Sequence, residues 1–335
     1  MKVLVAGCGS IGRRHAALLA ARAEVAVVDL DGALAARTGA ELGLRHFDDL
    51  DAALAWGPGG AVVATPNTSH LPVARACLDA GAGVLIEKPI SADLAEAEVF
   101  LDYLAGTGGS AHVVCNMRFH PGVAGLAAHL HRVGAPRFAR AQFGHYLPQM
   151  RPQARYQDLY CARRARGGGV ILDAIHEIDY LMWLFGPVAA VTCEAARLSD
   201  LDIDVEDYAV AVLRHASGVR SEVHLDYLQR RKRRGCEIAG QDGTLVWLSD
   251  GKAPEHCALD LYTTGTETWQ PLLASPAVDD DACYGALLDN FLAALDGRPH
   301  DLLSAEMATD ELRVALAARR AAETGATVVP LEMAA

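Results

Sequence analysis

Residues 2–6, 25–28, 60–64, 83–86 and 111–115 are short apolar runs, each closed by glycine or polar residues. Between them, apolar positions recur every three to four residues, through residue 23, over 32–42, near 48–55, through residue 80 and over 92–104. Short runs bounded by turn residues read as strands buried on both faces, and the periodic segments between them read as helices. Such alternation predicts a parallel, doubly wound sheet of about six strands that ends near residue 120. From residue 137 the pattern changes to a series of strands, over 137–146, 188–198, 207–215, 218–227, 233–239, 244–248 and 259–262. Polar turns such as His215-Ala216-Ser217-Gly218 and Gly240-Gln241-Asp242-Gly243 separate them, which predicts a largely antiparallel sheet. Helices return over 283–295 and 304–323. Two domains are expected, 1–120 and 121–335, with the C-terminal helix free to pack back on the first.

Gly7-Cys8-Gly9-Ser10-Ile11-Gly12 lies between the first strand and the first helix, the context in which GxGxxG signifies a dinucleotide site. Gly7 permits the turn, Gly9 lets the backbone approach a pyrophosphate, and Gly12 lets the helix pack on the strand. The phosphates then meet the helix amino end at Ser10 and Ile11. Asp29 closes the second strand, where an acid accepts hydrogen bonds from both adenosine ribose hydroxyls and repels a 2'-phosphate. With Asp31 nearby, NAD is expected in preference to NADP. Thr65, Pro66, Asn67 and His70 follow the next strand on the cofactor side, although Asn67 or Thr68 would serve equally as a helix cap. The first domain is therefore read as an α/β Rossmann domain and the second as α+β.

Ile86-Glu87-Lys88-Pro89-Ile90 puts an ammonium at a strand's carboxyl end, where ligands of open parallel sheets collect. Asn116 follows the last strand of this domain in the same way. In the second domain, Gly167-Gly168-Gly169 leads into apolar positions 171, 172, 175, 178, 181, 182 and 185, a helical stripe. Asp173 and His176, three apart, are expected on one face of that helix. A carboxylate beside an imidazole suits a general base with its orienting group; alternatively, Asp173 complements the helix dipole and His176 is a core histidine.

The 335 residues are about half hydrophobic and carry a formal charge of -12, which argues against nucleic acid as a partner. That balance weakly favours a cationic substrate. The basic run at 230–234 reads as a solvated turn or an interface. Eight cysteines without a CxxC pair fit reduced thiols in a cytoplasmic protein, with no metal site. No signal-like segment and no apolar run of membrane-spanning length is found, so no membrane partner is expected.

Taken together, GCGSIGRRH, ATPNTSH, IEKPI, NMRFHP and GGGVILDAIHEID, in this order, resemble the Gfo/Idh/MocA oxidoreductase family over nearly the whole chain. The resemblance implies a large, mostly antiparallel, open-faced sheet in the second domain, used for homodimer or homotetramer contacts. It implies that Lys88 touches both the nicotinamide and the reacting hydroxyl, that Pro89 follows a cis peptide, and that His176 is the catalytic base or acid with Asp173 as its partner. Many members space that aspartate and histidine four apart, against three here. Thr65, Pro66, Asn67, His70, Glu87, Lys88 and Asn116 complete the expected cofactor set. Arg118, Tyr146, Tyr156, Tyr160 and Asp226 are the expected substrate contacts.

The function expected is oxidation of a secondary alcohol of a sugar, an amino sugar (aminoglycoside-type included) or a cyclitol, with Lys88 and His176 converging on one alcohol oxygen. The alternatives are a sugar-nucleotide dehydrogenase or ketoreductase, a glycosidase-like enzyme that recycles bound NAD, and a non-catalytic NAD sensor.

Overall fold

Val3, Leu4 and Val5 are fully buried in the computed structural model, and the strand that carries them, Lys2–Ala6 (β1), lies near the middle of a sheet. Around it stand Glu24–Val28 (β2), Arg45–Phe47 (β3), Gly60–Val63 (β4), Gly83–Ile86 (β5) and Ala111–Val113 (β6). Their order is β6-β5-β4-β1-β2-β3, all parallel, with Leu303–Ser304 added antiparallel at the β6 edge. Each buried valine, leucine or isoleucine of these runs contributes about 1.5–3 kcal/mol. Chain direction away from β1 reverses between β2 and β4, so the switch-point crevice of the sheet lies beyond the carboxyl ends of β1 and β4. The expected six-stranded parallel sheet is present, although β3 carries no apolar run that would have announced it.

The described residues are 1–251 and 255–333; the remainder of the expected 121–335 segment lies outside them. The chain divides into two compact units, Met1–Asn116 with Asp281–Asp310, and Met117–Asp280 with the segment from Glu311 onward. Helix Asp280–Leu295 folds with the first unit because glycines make room for it. A Cβ on Gly60 or Gly83 would lie 2.4 or 2.5 Å from a Leu295 methyl carbon.

In the second unit the strands are Pro136–Gly144 (β7), Val188–Ala196 (β8), Tyr208–His215 (β9), Arg220–Asp226 (β10), Arg233–Gly240 (β11), Gly243–Ser249 (β12), Glu255–Thr263 (β13) and Trp269–Val278 (β14). They form one sheet in the order β14-β13-β12-β11-β7-β10-β9-β8. Every neighbouring pair is antiparallel except β7 and β10. Alternate residues, among them Ala139, Ala141, Val223, Ile238, Leu245, Trp247, Leu259 and Leu261, are buried. Helix Pro121–His129 packs on this face; at Gly122 a Cβ would strike the Trp247 ring at 2.1 Å. Among the described residues no helix is long and apolar enough to cross a membrane. None of the eight cysteines, all of them among the described residues, is in a disulfide.

Candidate active site

In the first unit, the carboxyl ends of the parallel strands gather most of the residues expected to bind cofactor. Gly7 follows β1 at φ +100°, and a Cβ there would lie 2.5 Å from the Ala64 carbonyl oxygen. Gly12 must also lack a Cβ, which would stand 1.8 Å from the Gly7 oxygen. At Gly9, by contrast, nothing lies within 4 Å of that position, so the backbone is open to an approaching ligand. Helix Ser10–Ala20 begins there with no side-chain cap, leaving its first amides for an anion. Asp29 follows β2, accepting from the Cys8 amide at 2.7 Å and the Asp31 amide at 2.9 Å. Asp31 itself caps helix Gly32–Leu42.

Three polar atoms near these strand ends are buried without a hydrogen-bond partner among the described residues: Thr65 Oγ1, Asn67 Nδ2 and Asn116 Oδ1. A buried polar atom left unpaired costs about 1–3 kcal/mol, so such a group calls for a partner from outside the chain, water or ligand. Together with the uncapped glycine loop, these atoms fit a dinucleotide whose amide and hydroxyl groups supply the missing partners. Pro66 is exposed between them.

Lys88 stands just past β5, and its peptide bond to Pro89 is cis, in agreement with the resemblance. Glu87 before it is buried. One of its oxygens meets His15 Nε2 at 2.8 Å, and the other accepts from the Lys88 amide at 3.1 Å. Burial by itself would raise the Glu87 carboxyl, but the hydrogen bond and charge of His15, with Lys88 and His70 nearby, hold it below the usual carboxylate range. His70 is buried between the Pro89 carbonyl oxygen at 3.0 Å and that of Thr65 at 2.9 Å, and burial lowers its pKa. These contacts give His70 a loop-bracing place in the fold. His15 was not among the expected site residues; the available signal was a titratable side chain in the buried stripe of Gly12, Ala16 and Leu19.

In the second unit the helix expected from residue 171 is broken. Val170–Asp173 forms one turn, Ala174 leaves helical geometry at ψ 34°, and a new helix runs His176–Phe185. Asp173 and His176 therefore do not share a helical face by the three-residue rule, which is a correction to the spacing argument. Asp173 accepts from the hydroxyls of Tyr160 and Tyr227, the latter at 3.1 Å. Burial, followed by the charge of Asp173, pushes both phenols well above their ordinary pKa, so they remain hydrogen-bond donors. His176 is buried at the start of its helix. The glycines ahead are held by Arg319, which donates to the Gly168 carbonyl and pairs with Glu206 at 2.9 Å.

The expected substrate contacts fare unevenly. Arg118 is committed to a buried ion pair with Asp179, at 2.9 and 2.5 Å. Four donors converge on Asp226: His224 Nε2, Gln229 Nε2 and the amides of Leu228 and Gln229. That carboxylate clamps its own turn. Tyr146 lies under the Arg230 guanidinium at 3.7 Å, and the Tyr156 hydroxyl accepts from the Asp202 amide at 3.2 Å. Tyr160, of this set, donates to the expected catalytic residue Asp173.

A doubly wound sheet with this glycine loop, acid and strand-end lysine defines an NAD-binding Rossmann oxidoreductase. Residues 1–114 match the family described as an oxidoreductase family with an NAD-binding Rossmann fold, and residues 129–246 match the Gfo/Idh/MocA C-terminal domain. The chain belongs to the Gfo/Idh/MocA family and is an NAD-dependent oxidoreductase of the class that acts on CH–OH groups. It is 31% identical to UDP-N-acetylglucosamine 3-dehydrogenase of Acidithiobacillus ferrooxidans, over 88% of this chain and 87% of that one. To inositol 2-dehydrogenase 2 of Paenarthrobacter aurescens it is 27% identical, over 89% and 88%. GenD2 from gentamicin A biosynthesis, solved in complex with NAD, superposes with a TM-score of 0.80 at 25% identity, covering 100% of this chain and 97% of that one.

Proposed function

We propose that the protein oxidises a secondary alcohol of a sugar, amino sugar or cyclitol to a ketone, with Lys88 and His176 handling the proton. The observation that carries this reading is the placement of Lys88 beyond β5, in the unit that holds the uncapped glycine loop and the unpaired Thr65, Asn67 and Asn116 atoms. Gly7, Gly9, Ser10, Ile11, Gly12 and Asp29 would hold the adenosine and pyrophosphate portions of NAD. Thr65, Asn67 and Asn116 would meet its more polar remainder. When bound, NAD supplies the hydride acceptor.

Lys88 holds the reacting alcohol oxygen by its ammonium, and His176 takes the hydroxyl proton. Asp173 stabilises the resulting imidazolium electrostatically, its own oxygens being steadied by Tyr160 and Tyr227. Residues 1–120, with the helix after residue 280 that folds with them, serve the cofactor, and the rest of 121–335 serves substrate binding and self-association through the sheet into a dimer or tetramer.

Similarity to GenD2 and to the inositol dehydrogenase supports an amino-sugar or cyclitol substrate. A sugar nucleotide is the second reading. It is favoured by the 31% identity to the UDP-N-acetylglucosamine enzyme and by Arg151, Arg155, Arg163, Arg164 and Arg166, a local cationic surplus opposite to the whole-chain balance. The test is NADH formation across amino sugars, cyclitols and UDP-sugars, followed by Lys88→Ala and His176→Ala on the best substrate. Each variant should lose about 100-fold or more in turnover, with NAD affinity nearly intact. Wild-type turnover in both removes the assignment.

A further inference from the structure

We propose that His15 and Glu87 act together as positioning residues for Lys88, fixing the backbone from which its ammonium is presented. The inference rests on the reading of Lys88 given above. His15 lies fully buried on helix Ser10–Ala20, and its Nε2 reaches across to Glu87 Oε1 at 2.8 Å. The other Glu87 oxygen accepts the amide of Lys88 itself at 3.1 Å, and the Glu87 amide donates to the Val63 carbonyl at 2.8 Å. Immediately after Lys88, the Pro89 carbonyl lies against His70, and Ile90 is buried. The main chain is thus gripped on both sides of Lys88.

A purely structural tie between helix and strand would not need a carboxylate there. Burying a charge costs several kcal/mol, and well-packed apolar groups usually do the same work as well or better. Here the carboxylate persists in ionised form, with His15 supplying a donor and the Lys88 amide a second. Its place, one residue before the ammonium and hydrogen-bonded to that residue's own amide, is that of a group that sets the lysine's location. Tyr284 closes the outer side of His15, edge-on at 5.4 Å, and Arg14 lies over that ring, so the histidine has little freedom to turn away.

The experiment compares Glu87→Gln, His15→Leu, His15→Gln and the double variant His15→Leu/Glu87→Gln with Lys88→Ala. Steady-state kinetics are measured on the best alcohol, with NAD affinity by calorimetry in the absence of alcohol. Glu87→Gln and His15→Leu should lower kcat about 10- to 100-fold, the scale that small misplacements of a reacting group produce. The NAD dissociation constant should stay within about twofold. His15→Gln, which keeps a side-chain N–H, should recover most of the loss; being conservative, it and Glu87→Gln also carry the test should His15→Leu fail to fold. The double variant should be no worse than the worse single one, as expected of residues acting as a unit. Wild-type kcat in Glu87→Gln beside an inactive Lys88→Ala overturns this inference alone. So does a weakening of NAD binding as large as the fall in kcat, which would assign the pair to the dinucleotide pocket. Full turnover in Lys88→Ala overturns instead the reading of Lys88.

Discussion

Lys88 and His176 are carried by segments of very different construction. Around Lys88 a regular main chain underlies the His15–Glu87 pair: the Glu87 amide donates to Val63, the Val114 amide donates to Ile86, and a parallel sheet surrounds them. Around His176 the regular structure is broken, and side chains from far along the chain take over. Arg319 and Glu206 hold the glycines, Tyr160 and Tyr227 hold Asp173, Arg234 forks onto Glu177, and Arg118 pairs with Asp179. Periodic hydrogen bonding spreads the load over many residues, whereas paired buried charges concentrate it in a few. Single substitutions should therefore damage the second segment through stability and the first through chemistry.

The largest expected effect probes that contrast directly. Arg118→Met leaves the Asp179 carboxylate buried without its main counter-charge, and breaking a buried pair in this way costs about 3–5 kcal/mol. Urea denaturation should show it as a lower midpoint at unchanged slope. Lys88→Ala, at a half-buried strand-end position, should melt close to the wild type. An Arg118→Met protein as stable as its parent would dissolve the distinction between the two regions and reopen Arg118 as a substrate contact.

A smaller loss is expected at Asp173. Tyr227 is fully buried and donates to it, so Tyr227→Phe removes a hydrogen bond to a charged group, worth about 1.5–3 kcal/mol. If Asp173 steadies an imidazolium at His176, kcat should fall along with stability. A fall in stability with kcat untouched would confine Asp173 to holding the broken helix.

The same contrast explains what could be read from the residues alone. Strands β1, β2, β4, β5 and β6 were legible because a strand buried on both faces must be apolar throughout, whereas β3 was not, and the glycine loop was legible because only glycine tolerates φ +100° beside Ala64. The strand-end position of Lys88 followed from those two facts. Strand β14 was missed because Pro271 and Pro276 interrupt its pattern, which an edge strand tolerates and a central one would not. The break at Ala174 was hidden by an apolar stripe that continues on both sides of it. The bonds that flank it come from Arg319, Glu206 and the two tyrosines, residues remote in sequence that no local pattern connects. The roles of Arg118 and Asp226 were obscure for a similar reason: a polar side chain near an expected site looks the same in sequence whether it faces a ligand or a buried partner.

Asp226 provides the smallest effect and the finest discrimination. Burial would raise its carboxyl, but the side chains of His224 and Gln229 and the amides of Leu228 and Gln229 outweigh that and hold it below its ordinary value of 3.8. Because the folded form releases this proton more readily than the unfolded chain does, the group's contribution to stability is complete above the ordinary carboxylate range. It is lost as pH falls through the depressed folded value. Asp226→Asn should therefore be less stable than the wild type at neutral pH, and the gap should narrow steadily as both are acidified below about pH 4. A turn clamp leaves substrate affinity alone, so KM for the alcohol should stay within about twofold. Were the gap independent of pH and KM raised tenfold or more, the carboxylate would belong to the substrate after all, and the second unit would hold its ligand with a group that the fold had seemed to spend on itself.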